Sequence, residues 1–198
     1  MNHLAHLALA GDDPAMLVGA FLGDFVKGRL RGERNPEIER GIRLHRAIDA
    51  FTDSHPDVKK SARRFESPHR RYTGVILDVV FDYLLARSWP RYYETRLENF
   101  SKDALGTLVE QGRHLPEPAA AMAGRMQAMN SLAGHGSEEF LIHSFDRLSS
   151  RLRRQNPLDT AYDICRDLMP ELDRDFHEFY PQLSDFCEEW KQRNPMQL

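Results

Sequence analysis

The sequence predicts an all-α fold, a bundle of helices joined by short loops. Apolar residues recur at the three- and four-residue spacing of helices along nearly the whole chain, and no segment convincingly shows the period of two that a half-buried strand requires. Proline and glycine interrupt the periodic segments where helices begin and end. The length suits a single domain over 1–198. Within it we expect 1–90 to supply the helices of a functional site and 91–198 to supply supporting helices.

The clearest helix starts lie in the first half of the chain. A capping residue stands directly before proline at Asp13-Pro14 and again at Asn35-Pro36. Proline is favoured in the first turn because the N–H that it lacks would have no helical partner there. The predicted elements of this half are a helix from Pro14 to Gly28, a basic loop over 29–34, a helix from Pro36 to Ser54, a short helix after Pro56 and a long helix over about 70–88 that Pro90 limits.

Six further helices are predicted in the second half. Gly112, Pro116 and the glycines of 134–136 separate the earlier ones, and Pro157 and Pro181 separate the later ones. These helices lie near 91–99, 101–113, 118–133, 137–153, 157–180 and 182–192.

The composition excludes several classes of protein. The chain is 41% hydrophobic and 29% charged, which is typical of a globular protein and not of a disordered one. No apolar stretch approaches the length of a membrane span, and the apolar start lacks the basic residues of a secretory signal, since the first is Lys27. Two cysteines are too few for a disulfide framework. We therefore expect a cytoplasmic protein without membrane contact.

Charge is distributed unevenly along the chain. The basic segment, residues 27–71, has 13 Lys or Arg against 7 Asp or Glu, whereas residues 155–198 have 4 against 10. The net charge of −3 gives no general case for binding nucleic acid. The basic segment instead favours an acidic partner or substrate. Solvated helix faces of either sign are the alternative interpretation.

Three aspartates stand where a simple core would have apolar residues. Asp24 lies within LVGAFLGDFV, and Asp78 and Asp82 lie within GVILDVVFDYLL. An ionised carboxylate buried on an apolar helix face costs several kcal/mol unless a positive charge compensates it. A bound cation would compensate these carboxylates and the mutual repulsion of Asp78 and Asp82. Arginine partners are the structural alternative.

His45 and Asp49 form a further pair on one helix face. Their spacing of four residues in IRLHRAIDAF lets one helix present both side chains to one ion. An imidazole among several carboxylates suits Mn²⁺, Fe²⁺ or Mg²⁺ better than a thiolate-rich zinc site. His6 supplies a second imidazole from the N-terminal segment. A histidine hydrogen-bonded within the core is the alternative for each position.

A basic tripeptide marks the start of the long helix. His69, Arg70 and Arg71 stand there, where free backbone N–H groups and the helix dipole already favour an anion. His69 and Arg71 are candidates to hold a phosphate or protonate a leaving group. A basic helix start at the surface is the alternative.

Four motifs, in order, resemble the bacterial acyl carrier protein phosphodiesterases: NHLAHLALA, GAFLGDFVKG, GIRLHRAIDAFTDSHP and RRYTGVILDVVFDYLLARSW. The resemblance implies an all-helical, HD-domain-like bundle distantly related to the HD-domain phosphohydrolases. It also implies a Mn²⁺-dependent activity that removes 4′-phosphopantetheine from a serine of holo-acyl carrier protein. Two departures from the pattern stand out: no His-Asp dipeptide occurs, and Tyr83 stands where the family often has histidine.

Together these observations predict a phosphodiesterase site with Mn²⁺ as its cofactor, Mg²⁺ or Fe²⁺ being alternatives. The carrier, an acidic protein, is expected to dock on the basic segment. Alternative functions are an HD-type nucleotide phosphohydrolase acting on ppGpp or a cyclic dinucleotide, and a non-catalytic helical module that binds an acidic protein. The predicted residues are His6, His69 and Arg71 for catalysis, Asp24, His45, Asp49, Asp78 and Asp82 for the metal, and Lys27, Arg29, Arg43 and Arg46 for substrate binding.

Overall fold

Helices account for the regular structure of the chain. Over residues 1–195, the part that the computed structural model describes, the backbone forms ten α-helices and no strand, which confirms the all-α prediction. Within those residues, no helix combines the length and the apolar character needed to cross a membrane. The helices are α1 His3–Ala10, α2 Pro14–Leu22, α3 Pro36–Ser54, α4 Pro56–Arg63, α5 Thr73–Arg87, α6 Leu97–Glu110, α7 Glu117–Ala128, α8 Ser131–Gly134, α9 Glu138–Arg151 and α10 Ala161–Arg193.

The predicted starts of α2 and α3 are confirmed in atomic detail. The carboxylate of Asp13 accepts a hydrogen bond from the Met16 N–H at 2.8 Å, and the side-chain oxygen of Asn35 accepts one from the Glu37 N–H at 2.8 Å. Each cap satisfies a backbone donor that has no partner within its helix.

The N-terminal region differs from the prediction at two places. No helix is predicted before Pro14, whereas His3–Ala10 forms α1. The helix α2 ends at Leu22 and not near Gly28, because the chain turns at Gly23–Phe25. Asp24 therefore lies in that turn with its side chain half exposed, and not on a buried helix face.

The second half differs from the prediction at two further places. The helix predicted near 91–99 is absent: a single 3₁₀ turn at Trp89–Arg91 is followed by irregular chain until α6 begins at Leu97. The Trp89 indole N–H donates to the Thr95 carbonyl at 2.7 Å. Pro181 does not end a helix, because α10 continues through it and through Pro170. Buried side chains on both sides of Pro181 hold α10 against the core, and this packing overrides the helix-breaking tendency of proline.

The close approach of α2 to α3 positions side chains of the candidate functional site. A Cβ built on Gly19 would lie 2.2 Å from the Ile38 carbonyl oxygen, and one on Gly41 would lie 2.5 Å from the Met16 carbonyl oxygen. Only glycine permits these backbones to cross at such a distance. The crossing brings the end of α2 against the middle of α3, where His45 lies.

A buried carboxylate connects α4 to α10. Asp175 is fully buried and accepts hydrogen bonds from Ser61 at 3.0 Å and Arg64 at 3.0 Å, and Lys60 Nζ lies 2.8 Å from it. Burial alone would raise the pKa of Asp175, but the hydrogen bonds from Arg64, Lys60 and Ser61 outweigh it and lower that pKa. Asp175 is thus an ionised structural residue.

Replacing Asp175 with alanine should lower the free energy of unfolding by about 3 kcal/mol, the lower end of the cost of breaking a buried ion pair. The lower end applies because Lys60 and Arg64 retain access to water. Urea unfolding of both proteins measures the difference. The matched control is Asp163→Ala, which breaks an exposed ion pair with Arg166 in the same helix and should change stability by less than about 1 kcal/mol. Equal effects of the two changes would contradict this role.

Candidate metal centre

Two histidines and one aspartate from α1 and α3 meet in one cluster, which we call the HHD cluster: His6, His45 and Asp49. One ligand atom from each lies within 4.8 Å of the other two. His6 Nε2 lies 3.2 Å from Asp49 Oδ1, and His45 Nε2 lies 3.3 Å from Asp49 Oδ2. The spacing of His45 and Asp49 places them on one face of α3, as the sequence predicts.

A backbone carbonyl fixes the orientation of His45. Its Nδ1 lies 2.8 Å from the carbonyl oxygen of Ala20 at the end of α2. Since a carbonyl oxygen only accepts, Nδ1 carries a proton, and with Nδ1 as the single donor of the ring Nε2 presents a lone pair. That lone pair faces Asp49 Oδ2 at 3.3 Å and Asp24 Oδ1 at 3.8 Å. Three electron-rich atoms therefore face one point, and they are stabilised when a proton or a metal cation lies between them.

His6 is buried and its ring stacks on that of His45. The ring centroids are 3.8 Å apart and the planes are 15° apart. Burial lowers the pKa of His6 to about 4, so the ring is neutral at pH 7. Nδ1 of His6 is buried and has no hydrogen-bond partner among the described residues. A neutral imidazole is the form that binds a metal ion.

Asp49 supplies the negative charge of the cluster. Its burial would raise the pKa, but the interactions with His45 and His6 outweigh this and hold the pKa well below its ordinary value. Asp49 is therefore ionised at neutral pH. Its side chain is 47% exposed, so the cluster is open to solvent on the carboxylate side.

The turn after α2 leaves room for the His45 ring. A Cβ built on Gly23 would lie 2.1 Å from His45 Cγ, well inside van der Waals contact. The backbone of Gly23 is in the right-handed helical region, so its lack of a side chain, and not an unusual conformation, is what the site requires.

Asp24 and His3 extend the cluster on one side. Asp24 Oδ2 lies 3.4 Å from His3 Nδ1, and burial lowers the pKa of His3 to about 4. The predicted site includes His6 but not His3. The available signal is the spacing of three between His3 and His6, which places both on one face once α1 is recognised.

The remaining two predicted ligands, Asp78 and Asp82, lie on α5, and N–H groups of the first residues of the chain are their partners. Asp78 Oδ1 lies 2.6 Å from the Met1 amino group. Asp82 is fully buried and accepts hydrogen bonds from the N–H groups of Asn2 at 3.1 Å, Leu4 at 2.8 Å and Ala5 at 3.4 Å. The free N–H groups and dipole of α1 therefore compensate Asp82. The backbone of α1 thus supplies the compensation that the sequence pattern led us to expect from a cation at Asp82.

No arginine lies within ion-pair distance of any of the four predicted aspartate ligands, as far as the chain is described. Their partners are histidines and backbone or terminal N–H groups. This removes the basis of the alternative in which these aspartates are paired with arginines in a non-catalytic module.

The predicted catalytic residue His69 has a structural partner instead. Its Nε2 lies 3.0 Å from the Pro157 carbonyl oxygen and 3.1 Å from Thr160 Oγ1. His69 thus links the 3₁₀ turn His69–Tyr72, which precedes α5, to the chain before α10. It is not among the residues of the HHD cluster. Arg71 is exposed beside it.

The four predicted substrate-binding residues fall into two groups. Lys27 and Arg29 are exposed in the loop between α2 and α3, where they are free to meet a ligand. Arg43 lies 3.6 Å from Glu39 on α3, and an Arg46 Nη2 group donates to the Val26 carbonyl at 2.8 Å. Arg46 therefore holds the loop beside the cluster.

His135, which no sequence motif singles out, also lies near the site. It follows α8, with Nδ1 2.8 Å from the Ser131 carbonyl oxygen and Nε2 3.9 Å from Asp82 Oδ2. Sequence reasoning missed it because its proximity to α1 and α5 arises only from the tertiary fold.

Comparison with known proteins finds relatives over nearly the whole chain. The family described as "Acyl carrier protein phosphodiesterase" matches residues 1–183. Proteins with that name are similar throughout: one from Serratia proteamaculans is 32% identical over 92% of this chain and 95% of its own length. One from Photorhabdus laumondii is 28% identical over 95% and 96%, and one from Escherichia coli is 29% identical over 92% and 95%. No solved structure matches the chain significantly. With its family profile and its relatives extending over nearly the full length, the chain belongs to the acyl carrier protein phosphodiesterase family.

Proposed function

We propose that this enzyme hydrolyses the phosphodiester that joins 4′-phosphopantetheine to a serine of acyl carrier protein, using a divalent cation held by the HHD cluster. Its family and relatives carry the name of this reaction. The observation that carries the metal proposal is the orientation of His45. Its Nδ1 donates to Ala20, so its Nε2 lone pair points at two carboxylates.

The donor set fits a divalent cation. Nε2 of His45, a ring nitrogen of His6 and an oxygen of Asp49 are the proposed ligands, and Asp24 is close enough to be a fourth. Two imidazoles with carboxylates suit Mn²⁺ or Fe²⁺, whereas Mg²⁺ prefers oxygen ligands throughout. We propose Mn²⁺. When bound, such an ion neutralises the charge of a phosphodiester and lowers the pKa of a bound water.

The side chains around the cluster prepare it for this role. Ala20 holds His45 in the tautomer that leaves Nε2 free, as an outer partner does for histidine ligands in general. His6 is neutral at pH 7 and is thus better suited to be a ligand than the acid that protonates the leaving serine. Asp24 and Asp49 expose the cluster to solvent, where a large substrate can reach it.

The proposed substrate, an acidic carrier protein, gives a role to the basic loop beside the cluster. An acidic carrier protein must bring its modified serine to the exposed side of the cluster. Lys27 and Arg29 are exposed in the loop that Arg46 anchors through Val26. We propose that these two cations contact the carrier, since rim charges contribute chiefly to orientation and association rate.

Incubation with holo-acyl carrier protein and Mn²⁺ tests the proposed reaction. The intact mass of the carrier should fall by the mass of 4′-phosphopantetheine, less the water that hydrolysis adds, and free 4′-phosphopantetheine should appear in equal amount. Apo-carrier incubated in parallel should keep its mass. An unchanged holo-carrier in the presence of folded, metal-supplemented enzyme would contradict the proposal.

A further inference from the structure

A cavity of about 250 Å³ lies between α7 and α9, and the start of α1 and α8 close one side of it. This volume is near the lower end of small-molecule sites, which span roughly 300–1,000 Å³. The predicted site does not include any residue of α7, α8 or α9. The residues predicted for the site therefore give this cavity no role.

One side chain, His3, lies between the cavity and the residues beside the HHD cluster. His3 lines the cavity, and its Nδ1 lies 3.4 Å from Asp24. Asp24 in turn lies 3.8 Å from His45 Nε2. His135, which also lines the cavity, lies 3.9 Å from Asp82 beneath α1. A group bound at the cluster would thus lie next to the side of the cavity that His3 forms.

Methionines and other flexible or planar apolar side chains form the wall. Met122 and Met126 project from α7, and Phe140 and Leu148 project from α9. Met129, at the end of α7, also lines the cavity although 68% of its surface is exposed. Methionine adapts to irregular ligands because it is unbranched and polarisable. Such a wall suits a flexible chain of methylenes better than a rigid ring.

One polar atom in the wall lacks a partner. Ser131 lines the cavity, and its Oγ is buried with no hydrogen-bond partner among the described residues. Buried hydroxyls are nearly always hydrogen-bonded, and leaving one unpaired is unfavourable. An amide of a bound ligand can accept from this hydroxyl or donate to it.

The entrance of the cavity is positively charged. Arg125, Arg147 and Arg151 line it and are exposed. None of them has an ion-pair partner within residues 1–195. Arg147 instead lies over the Phe140 ring at 5.8 Å. Arginines without an ion-pair partner around an apolar cavity favour a ligand that is attached to an acidic protein.

We propose that this cavity binds the pantetheine arm of the substrate, with Ser131 hydrogen-bonded to one of its amides. The arm is a flexible chain of methylenes with two amides and a terminal thiol, which matches the apolar wall and its single unpaired hydroxyl. The acidic carrier to which it is attached matches the arginines at the entrance. This inference rests on the proposed function for the identity of the ligand.

Calorimetric titration of the full-length protein with pantetheine tests the proposal without metal, carrier or turnover. We expect saturable binding by the wild-type protein at millimolar concentrations. Ser131→Ala should weaken binding about fivefold, the scale of one neutral hydrogen bond. Met126→Trp should abolish binding, because the larger ring occupies the cavity. Melting temperatures establish that both variants are folded, and Ser131→Ala breaks no internal hydrogen bond of its hydroxyl.

Two matched controls lie outside the cavity. Ser150→Ala removes an exposed hydroxyl of α9 that donates to the Arg147 carbonyl, and Met169→Trp enlarges a methionine of α10 that packs against the core. Both should bind pantetheine as the wild-type protein does. The proposal is overturned if wild-type protein shows no saturable binding at millimolar pantetheine, or if Ser131→Ala and Met126→Trp retain wild-type affinity.

The outcome separates this inference from the proposed function. An enzyme that converts holo-carrier to apo-carrier but fails the titration refutes the cavity assignment alone. Wild-type protein that binds pantetheine, in a manner sensitive to Ser131, but leaves holo-carrier unchanged refutes the proposed reaction alone.

Discussion

Turnover of holo-acyl carrier protein should fall by at least about 10²-fold when His45 is replaced with alanine, the scale of losing one charge-stabilising group from an active site. The reason is that Nε2 of His45 is the atom on which Asp24 and Asp49 converge. Without it the cluster loses a proposed ligand and the two carboxylates lose the group that they face. Conversion of the carrier, followed by intact mass, measures the effect.

A second substitution at His45 separates loss of a ligand from loss of packing. His45→Asn keeps a short amide that can donate to the Ala20 carbonyl but removes the position of Nε2, so it should be as inactive as His45→Ala with a smaller loss of stability. His143→Ala, at an exposed histidine of α9, is the matched control and should remain fully active. Wild-type turnover by folded His45→Asn would exclude His45 as a ligand.

Gly23→Ala should also abolish most activity, although Gly23 contributes no functional group. Its Cβ would lie 2.1 Å from His45 Cγ, so the ring must move by a substantial fraction of its own width. Displacing a reactive group by about 1 Å can cost about 10²-fold in rate, and overpacking of this kind costs about 1–3 kcal/mol of stability. Steady-state rates and urea unfolding measure the two effects separately.

Gly124→Ala is the control for that substitution. Gly124 lies in α7, and nothing lies within 4 Å of a Cβ built there. Alanine is favoured over glycine within a helix, so this variant should be slightly more stable and fully active. If Gly23→Ala is as active as Gly124→Ala, the close packing of the turn against His45 does not position the site.

Local sequence rules predict the parts of the site that lie within one helix. The caps Asp13 and Asn35 and the pairing of His45 with Asp49 on α3 follow from spacing alone. These features depend on residues at most four apart, where helical geometry fixes the distance. The all-α class follows from the same periodicity.

Contacts between distant segments are what the sequence did not predict. An aspartate within an apolar run indicates compensation, but not its source: for Asp82 the source is the backbone of α1, about 80 residues away in the chain. The apolar pattern places Asp24 on a buried face only if α2 extends through it, whereas α2 ends at Leu22 and Gly23 leaves room for the His45 ring. The tertiary fold determines both outcomes.

The family resemblance and the structure give different information about the site. The resemblance names the reaction, and the sequence patterns supply a set of candidate acidic and histidine positions. The structure separates that set: His6, His45, Asp49 and Asp24 lie together, whereas Asp82 and His69 have backbone partners elsewhere. It also adds His3, which the motif reasoning omits.

On the function that we propose, release of 4′-phosphopantetheine depends on a cation held by the HHD cluster. The most direct measurement is the rate of conversion of holo-carrier to apo-carrier by chelator-treated enzyme, before and after one equivalent of Mn²⁺ is restored. We predict no conversion without metal, recovery on addition of Mn²⁺ to the wild-type enzyme, and no recovery in His45→Asn. Undiminished conversion by enzyme that elemental analysis shows to be metal-free would contradict the claim.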